Sequence, residues 1–278
     1  VASETIETAE GGTLLPPKVT DKRGRFFQLR VAGVWAVLLA LFVLFFLSFG
    51  LDFPFILDKF PALAGFRLTK DGFIQGAALT LFVCFFAIAA SIVLGLLSSL
   101  ARLSNSALFY GLSTFYTSFF RGTPLLVQIF LIYLGLPQIG PVPAAIPSGI
   151  IALSLNYGAY LSEIFRSGIL SVPLGQREAG ASLGLHRLQI MWKIVLPQAM
   201  RIVIPPTGSQ FIAMLKDSSL ISVMGVWEIM FLAQSFGRAS YRYIEMLTTA
   251  ALIYWILSFM FEMVQARLEA HYGRGYKR

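Results

Sequence analysis

The sequence predicts an all-α, polytopic membrane protein with about six transmembrane helices, and three observations predict it. Hydrophobic residues make up 56% of the 278 positions and charged residues only 13%, where a soluble domain carries roughly a quarter charged. The mean hydropathy of +0.73 leaves more apolar surface than a soluble fold can bury, so the solvent is lipid. The apolar residues also gather into runs that approach the roughly 20 residues a bilayer core demands.

The first run, 31–50, carries no charge, and 73–100 is long enough to tilt. The third, 108–136, is interrupted at Arg121-Gly122-Thr123-Pro124. The fourth, 146–165, carries Glu163 near its end. The fifth, 202–225, is expected to break at Pro205-Pro206 and again at Lys216-Asp217. The sixth, 246–264, carries Glu262 near its end.

Lys and Arg set the orientation. With the N-terminus in the cytoplasm, the inner segments carry Lys18, Lys22, Arg23, Arg25, Arg30, Arg102, Arg166, Arg177, Arg187, Lys193, Arg201, Arg267, Arg274, Lys277 and Arg278. The outer segments carry only Lys59, Arg67, Lys70, Lys216, Arg238 and Arg242, and 137–147 has no basic residue. Both termini are therefore expected in the cytoplasm. The same bias accounts for the net charge of +8 without nucleic acid as a partner.

Residues 1–20 lack the basic start, short apolar core and small-residue cleavage site of a signal peptide, and read as a polar tail. The expected organisation is a cytoplasmic tail (1–30), an additional helix with its outer connection (31–71), a working core (72–268) and a C-terminal tail (269–278). One cysteine, Cys84, gives no disulfide framework. The two histidines, His186 and His271, are far apart and have no ligand-like neighbours, so no metal site and no catalytic constellation are expected.

The loop at 171–200, between the fourth and fifth runs, is unusual. Pro173 suits the first turn of a helix, and Ala179, Gly180, Ala181 and Ser182 make that helix slim enough to enter another protein's groove. Gly184 suits a left-handed stop. A second short helix should follow, with Leu185, Leu188, Trp192 and Val195 on one face, ending at Leu196-Pro197.

Glu178-Ala179-Gly180, then Gly184, Ile194 and Leu196-Pro197 at fixed spacing, resembles the EAA motif of ABC importer permeases. The third motif position is Gly here rather than Ala, which costs about 1 kcal/mol of helix propensity but stays small. Residues 120–128 (FRGTPLLVQ), 159–166 (AYLSEIFR), 197–201 (PQAMR) and 216–220 (KDSSL) resemble the histidine/glutamine/glutamate type of these permeases, and the resemblance runs from about 72 to 265.

The resemblance implies a five-helix importer core in the bacterial inner membrane, polar amino acids as substrates, and a coupling helix docked on a separate ATPase. It also implies two ATP-binding subunits that hold ATP and Mg, a second permease subunit, identical or sibling, and an extracytoplasmic substrate-binding protein. This chain has no Gly-Lys pair and hence no phosphate-binding loop. No cofactor is expected on it, and it is not expected to be an enzyme by itself.

The resemblance assigns ATPase coupling to Gln176, Glu178, Ala179, Gly180, Gly184, Leu185 and His186, with Glu178 as an ion-pairing or capping acid or simply a solvated one. Asn156, Tyr157 and Tyr160 either line a polar path or make interhelical hydrogen bonds. Glu163 and Arg166, three apart, either pair structurally or stand near substrate. Arg121 either snorkels to the inner interface or anchors the core helices. Lys216 and Asp217 read as a local ion pair at a broken helix where polar groups can face a cavity, with Gln210, Ser218 and Ser219 in the same group. An ion-driven secondary transporter would be expected to show an internal repeat, and none is visible. A second rival is a non-import membrane protein, for export or signalling, that uses the same ABC ATPase interface, and a third is a membrane enzyme, against which the absent catalytic constellation counts.

Overall fold

The computed structural model describes residues 25–69 and 71–272, and every regular element among them is helical. The N-terminal tail with Lys18, Lys22 and Arg23, the outer Lys70, the C-terminal Arg274, Lys277 and Arg278, and the side chain of His271 lie outside the described residues. The chain divides into two units, 1–51 and 52–278. The described part of the first is α1 (Arg25–Leu47), apolar around its whole circumference as a lipid-solvated helix should be.

The second unit begins with α2 (Phe53–Leu63), capped by the Asp52 carboxylate, which accepts from the Phe55 amide at 3.0 Å. Then come α3 (Gly76–Arg102), α4 (Ala107–Gly122), α5 (Leu125–Phe130), a π turn (Leu131–Gly135), a 3-10 turn (Leu136–Ile139) and α6 (Ala145–Leu170). The loop holds α7 (Leu174–Ser182), α8 (Arg187–Ile190) and a π turn (Met191–Val195). There follow α9 (Leu196–Asp217), a 3-10 turn (Ser218–Met224), α10 (Ile229–Ser240) and α11 (Tyr243–Tyr272).

Among the described residues, α1, α3 and α11 are each long and apolar enough to cross a membrane. Two bent pairs raise the number to five: 107–122 with 125–139, bent by 108°, and 187–224 with 229–240, bent by 50°. Helix α6 is long enough but too polar to pass on composition. Most of it is packed inside the protein, with Ala152, Leu153, Tyr157, Ala159 and Leu161 buried, and it needs little lipid-facing surface. Adding it restores the six spans expected from the sequence.

Small residues seat α6 against α3 and α4, as lipid-embedded packing requires. A Cβ on Gly158 would lie 2.6 Å from the Tyr116 hydroxyl and 2.9 Å from Leu94 Cβ. The Ser91 hydroxyl donates to the Ser154 carbonyl and the Ser154 hydroxyl to the Ala87 carbonyl, both at 3.3 Å. Ser162 donates to Ser98 at 2.9 Å, and Ser98 is hydrogen-bonded to Ser113 at 2.6 Å. These hydroxyls tie three helices together without any charge.

Three expectations are corrected here. Pro205-Pro206 does not break the fifth span, because α9 runs through both prolines to Asp217. Packing outweighs the lost backbone bonds: Val203 is buried, and Gln265 of α11 donates to the Pro205 carbonyl at 3.1 Å. Nor does Leu196-Pro197 end the second loop helix. Pro197 sits in the first turn of α9, where its missing N–H is harmless. The helix changes instead by a π turn, which rotates the residues beyond it. Val195 is buried and Leu185 half-buried, while Leu188 and Trp192 are exposed, so the four do not share one buried face.

Candidate functional site

The loop joins the C-terminal end of α6 to the N-terminal end of α9. Pro173 caps α7 rather than opening it, so the helix starts at Leu174. It stops at Gly184, which takes a left-handed φ of +77°. There the Gly184 amide donates to the Ala181 carbonyl at 2.9 Å and the Leu185 amide to the Gly180 carbonyl at 3.1 Å, a Schellman closure. His186 then opens α8, its backbone amide donating to Gln189 Oε1 at 3.0 Å.

Gly180 faces inward, not toward a partner's groove. A Cβ there would meet Ile194 Cδ1 at 2.7 Å and Ile190 Cγ1 at 3.2 Å, so the small residue lets α7 lie against the helix that follows it. Gln198 Nε2 donates to Gln176 Oε1 at 2.7 Å, and the Arg177 guanidinium donates to the Ile169 carbonyl. Below them Ile169, Val172, Val195 and Ala199 form a buried cluster. The loop is thus braced on the two spans it joins.

Its outer surface is left open. Glu178, Ala179 and His186 are exposed, as are Leu174 (72%), Leu183 (82%), Leu188 (73%) and Trp192 (67%). Four large apolar side chains and an acid exposed on one short loop are the composition of a surface that another protein covers.

The second cluster lies along α6. Glu163 receives three arginines: Arg102 from the end of α3, Arg121 from the end of α4 at 3.4 Å, and Arg166 on its own helix at 3.0 Å. One carboxylate therefore clamps three helices. Arg121 also stacks over the Tyr160 ring at 5.3 Å. Arg102 was missed in the sequence because its partner lies 61 residues away.

Asn156 turns toward the break between α4 and α5, donating to the Phe120 carbonyl at 3.0 Å and to Gln128 Oε1 at 3.1 Å. Gln128, 2% exposed, donates to the Phe120 and Thr123 carbonyls at 2.9 and 3.1 Å. Helix ends leave such carbonyls without intrahelical partners, and these two amides supply them. Tyr157 donates to Asp217 Oδ2 at 2.8 Å.

Asp217 therefore pairs with Tyr157, not with Lys216. Lys216 faces a cleft with Glu262, whereas Ser218 is buried and its hydroxyl donates to the Leu215 carbonyl at 2.8 Å. Gln210 and Ser219 are half-buried. The structure does not gather Asn156, Tyr160, Glu163, Gln210, Lys216, Ser218 and Ser219 into one pocket. Asn156, Tyr160 and Glu163 form a strip on α6, Gln210 and Lys216 lie on α9, and Ser218 and Ser219 lie in the 3-10 turn after it.

A further carboxylate had no sequence signal. Glu228 is fully buried; it caps α10 by accepting from the Phe231 amide at 2.7 Å and accepts from the Tyr254 hydroxyl at 2.6 Å. Among the described residues, no group of three or more His, Cys, Asp or Glu side chains is placed to hold a metal.

Comparison with known proteins agrees with this architecture. Residues 91–274 match the model of the family described as the binding-protein-dependent transport system inner membrane component. The probable amino-acid permease protein YxeN of Bacillus subtilis is 37% identical over 230 residues, covering 82% of this chain and 98% of YxeN. The glutamine transport system permease protein GlnP of Escherichia coli K12 is 35% identical, covering 70% of this chain and 90% of GlnP. A crystal structure of an amino acid ABC transporter with histidines aligns with a TM-score of 0.72 at 33% identity, covering 80% of this chain and 99% of that one.

Proposed function

The chain belongs to the binding-protein-dependent transport system inner membrane components, and from that premise we propose that it is the permease subunit of an ATP-driven importer of polar amino acids. Similarity to permeases named for amino acids and glutamine supports the substrate class. A multi-pass permease of this kind works with an ATPase and a binding protein. The proposed assembly has two permease chains, two ATP-binding chains and one extracytoplasmic binding protein, with both termini of this chain in the cytoplasm. In the proposed division of the chain, 72–268 is the transport core, 31–71 an added helix with its connection, and 1–30 and 269–278 are tails.

The observation that carries the coupling reading is the open apolar surface on a loop braced against α6 and α9. ATP bound by the partner closes the ATPase pair, whose cleft grips α7. Because Gln176 and Arg177 tie α7 to α9 and α6, and Gly180 packs it against the helix turns that lead into α9, the loop cannot yield by itself. Its displacement moves α6 and α9 together and turns the path outward. ATP can shift the equilibrium only as far as the assembly binds it differently in the two states. Exposed Glu178 supplies a charge at this junction.

The test is uptake of labelled polar amino acids into proteoliposomes holding the full complex, with native loop and with Glu178→Arg. Reversing one charge at a protein interface typically costs several kcal/mol, so uptake should fall about a hundredfold or more while the permease stays folded. Uptake driven by an ion gradient without ATP, or unaffected by the substitution, would overturn the reading.

A further inference from the structure

An apolar groove of about 510 Å³ runs along α9, walled by Leu96 of α3, Phe165 of α6, Ile204 of α9 and Val264 of α11. Thr207 and Gln265 are the polar side chains in its lining, and both are already engaged. The Thr207 hydroxyl donates to the Val203 carbonyl at 2.8 Å. The Gln265 amide donates to the Pro205 carbonyl, to Ser209 and to Glu269 at 3.1, 3.0 and 2.8 Å. The groove therefore has little to offer a polar occupant, which would forfeit its hydrogen bonds on entering.

Its two outer walls face lipid. The exposed sides of α3 and α11 carry Val93, Leu97 and Leu100, and Ile256, Met260 and Met263. These are large residues, whereas helices that meet within a membrane favour small ones. The two ends of the groove differ. At one end the rings of Phe211 and Phe261 pack edge to face at 4.7 Å. At the other, Leu196 and Met200 begin α9, with Leu268 of α11 also in the lining. Three cations stand beside these residues: Lys193 one turn before Leu196, Arg201 next to Met200, and Arg267 next to Leu268. All three are exposed, and among the described residues none of them belongs to an ion pair, whereas Arg102, Arg121, Arg166 and Arg242 all do.

We propose that an anionic phospholipid occupies this groove, with one acyl chain between α3, α9 and α11 and its headgroup phosphate held by Lys193, Arg201 and Arg267. The chain enters sideways from the bilayer between the two lipid-facing walls. The long basic side chains lay their stems along apolar surface and carry their charge to the headgroup. Basic pockets between membrane helices hold anionic headgroups in this way. A lipid with no net charge fits the groove equally well but gains nothing from the cations, so charge selects the headgroup and the groove selects the chain.

The experiment is native mass spectrometry of the detergent-purified complex of permease and ATPase chains, titrated with phosphatidylglycerol and, in parallel, with phosphatidylcholine. Each basic residue beside an anionic headgroup is worth about fivefold in affinity. The double variant Arg201→Gln, Arg267→Gln should therefore weaken phosphatidylglycerol about 25-fold and leave phosphatidylcholine unchanged. Ile204→Trp, which fills the groove, should lose both lipids. Assembly is followed by size-exclusion chromatography. Equal affinity of the native complex for the two lipids, or undiminished phosphatidylglycerol binding in either variant, overturns the site. Separation of the permease chains in Ile204→Trp overturns it too, and assigns the groove to contact between copies. A native complex photolabelled by phosphatidylglycerol with a diazirine on its acyl chain decides the matter if Ile204→Trp does not fold. Label on Leu96, Ile204 and Val264 supports the site, and label confined to the outward residues Val93 and Met260 overturns it.

Discussion

At the scale of single residues, Glu163 has the greatest leverage. Its side chain is 23% exposed and holds Arg102, Arg121 and Arg166, which end or belong to three different helices. Replacing it by Gln keeps the shape and removes the only carboxylate paired with those arginines among the described residues. Breaking one partner out of a fully buried pair costs about 3–5 kcal/mol, and partial exposure screens this charge. Glu163→Gln should therefore destabilise the permease by roughly 2–3 kcal/mol. Thermal unfolding of the purified complex reads this directly, and a melting point equal to that of the native chain would show that the arginines are served by solvent instead. The sequence pointed to half of this clamp. Arg166 was legible because it stands three residues from Glu163 on one helix, whereas Arg102 and Arg121 arrive from other helices. The same limit hid Glu228 and Tyr254, 26 residues apart, which meet only because α10 folds back beside α11.

At the scale of elements, sequence reasoning worked where a local rule decides and failed where packing decides. The Gly184 stop, the bend at residues 121–124 and the apolar runs obey local rules. The two prolines of α9 should have broken a helix, yet the helix is gripped along its length by α6 and α11 and continues. The π turn at Met191–Val195 was invisible because nothing in MWKIV announces it, and it altered which of Leu185, Leu188, Trp192 and Val195 is buried. The contact between α7 and the helix after it sharpens what the small residue at 180 is for. Gly180→Ala would press on the flexible tip of Ile194, which can give way, and helix propensity improves by up to about 1 kcal/mol. Its stability should stay within about 1 kcal/mol of native. Gly180→Leu has nowhere to put its side chain, and overpacking of this kind costs about 1–3 kcal/mol. It should lift α7 off α8 and the π turn that follows it and abolish ATP-driven uptake, while Gly180→Ala transports normally. Full uptake by the leucine variant would show that α7 need not be braced to do its work.

At the scale of the whole molecule, topology follows from α6. This helix joins the uncharged connection at 140–144 to the basic loop at 171–200, and its 26 residues span about 39 Å at 1.5 Å per residue. That exceeds the roughly 30 Å of a bilayer's hydrocarbon core, so a helix lying along the membrane normal puts its two flanking loops on opposite sides. Basic residues favour the cytoplasm, and only the second loop carries them. Cys84, the sole cysteine, is buried, so a Cys84→Ser background accepts reporter cysteines cleanly. Val142 (78% exposed) and Leu183 (82%) are the sites to use. In intact cells a membrane-impermeant maleimide should label Val142→Cys, and should reach Leu183→Cys only after the membrane is opened. The reverse pattern would place the coupling loop outside, where no ATP-binding chain could reach it. Equal labelling of both in sealed cells would mean that α6 lies along the membrane rather than across it, and with it would fall the use of α6 and α9 as levers.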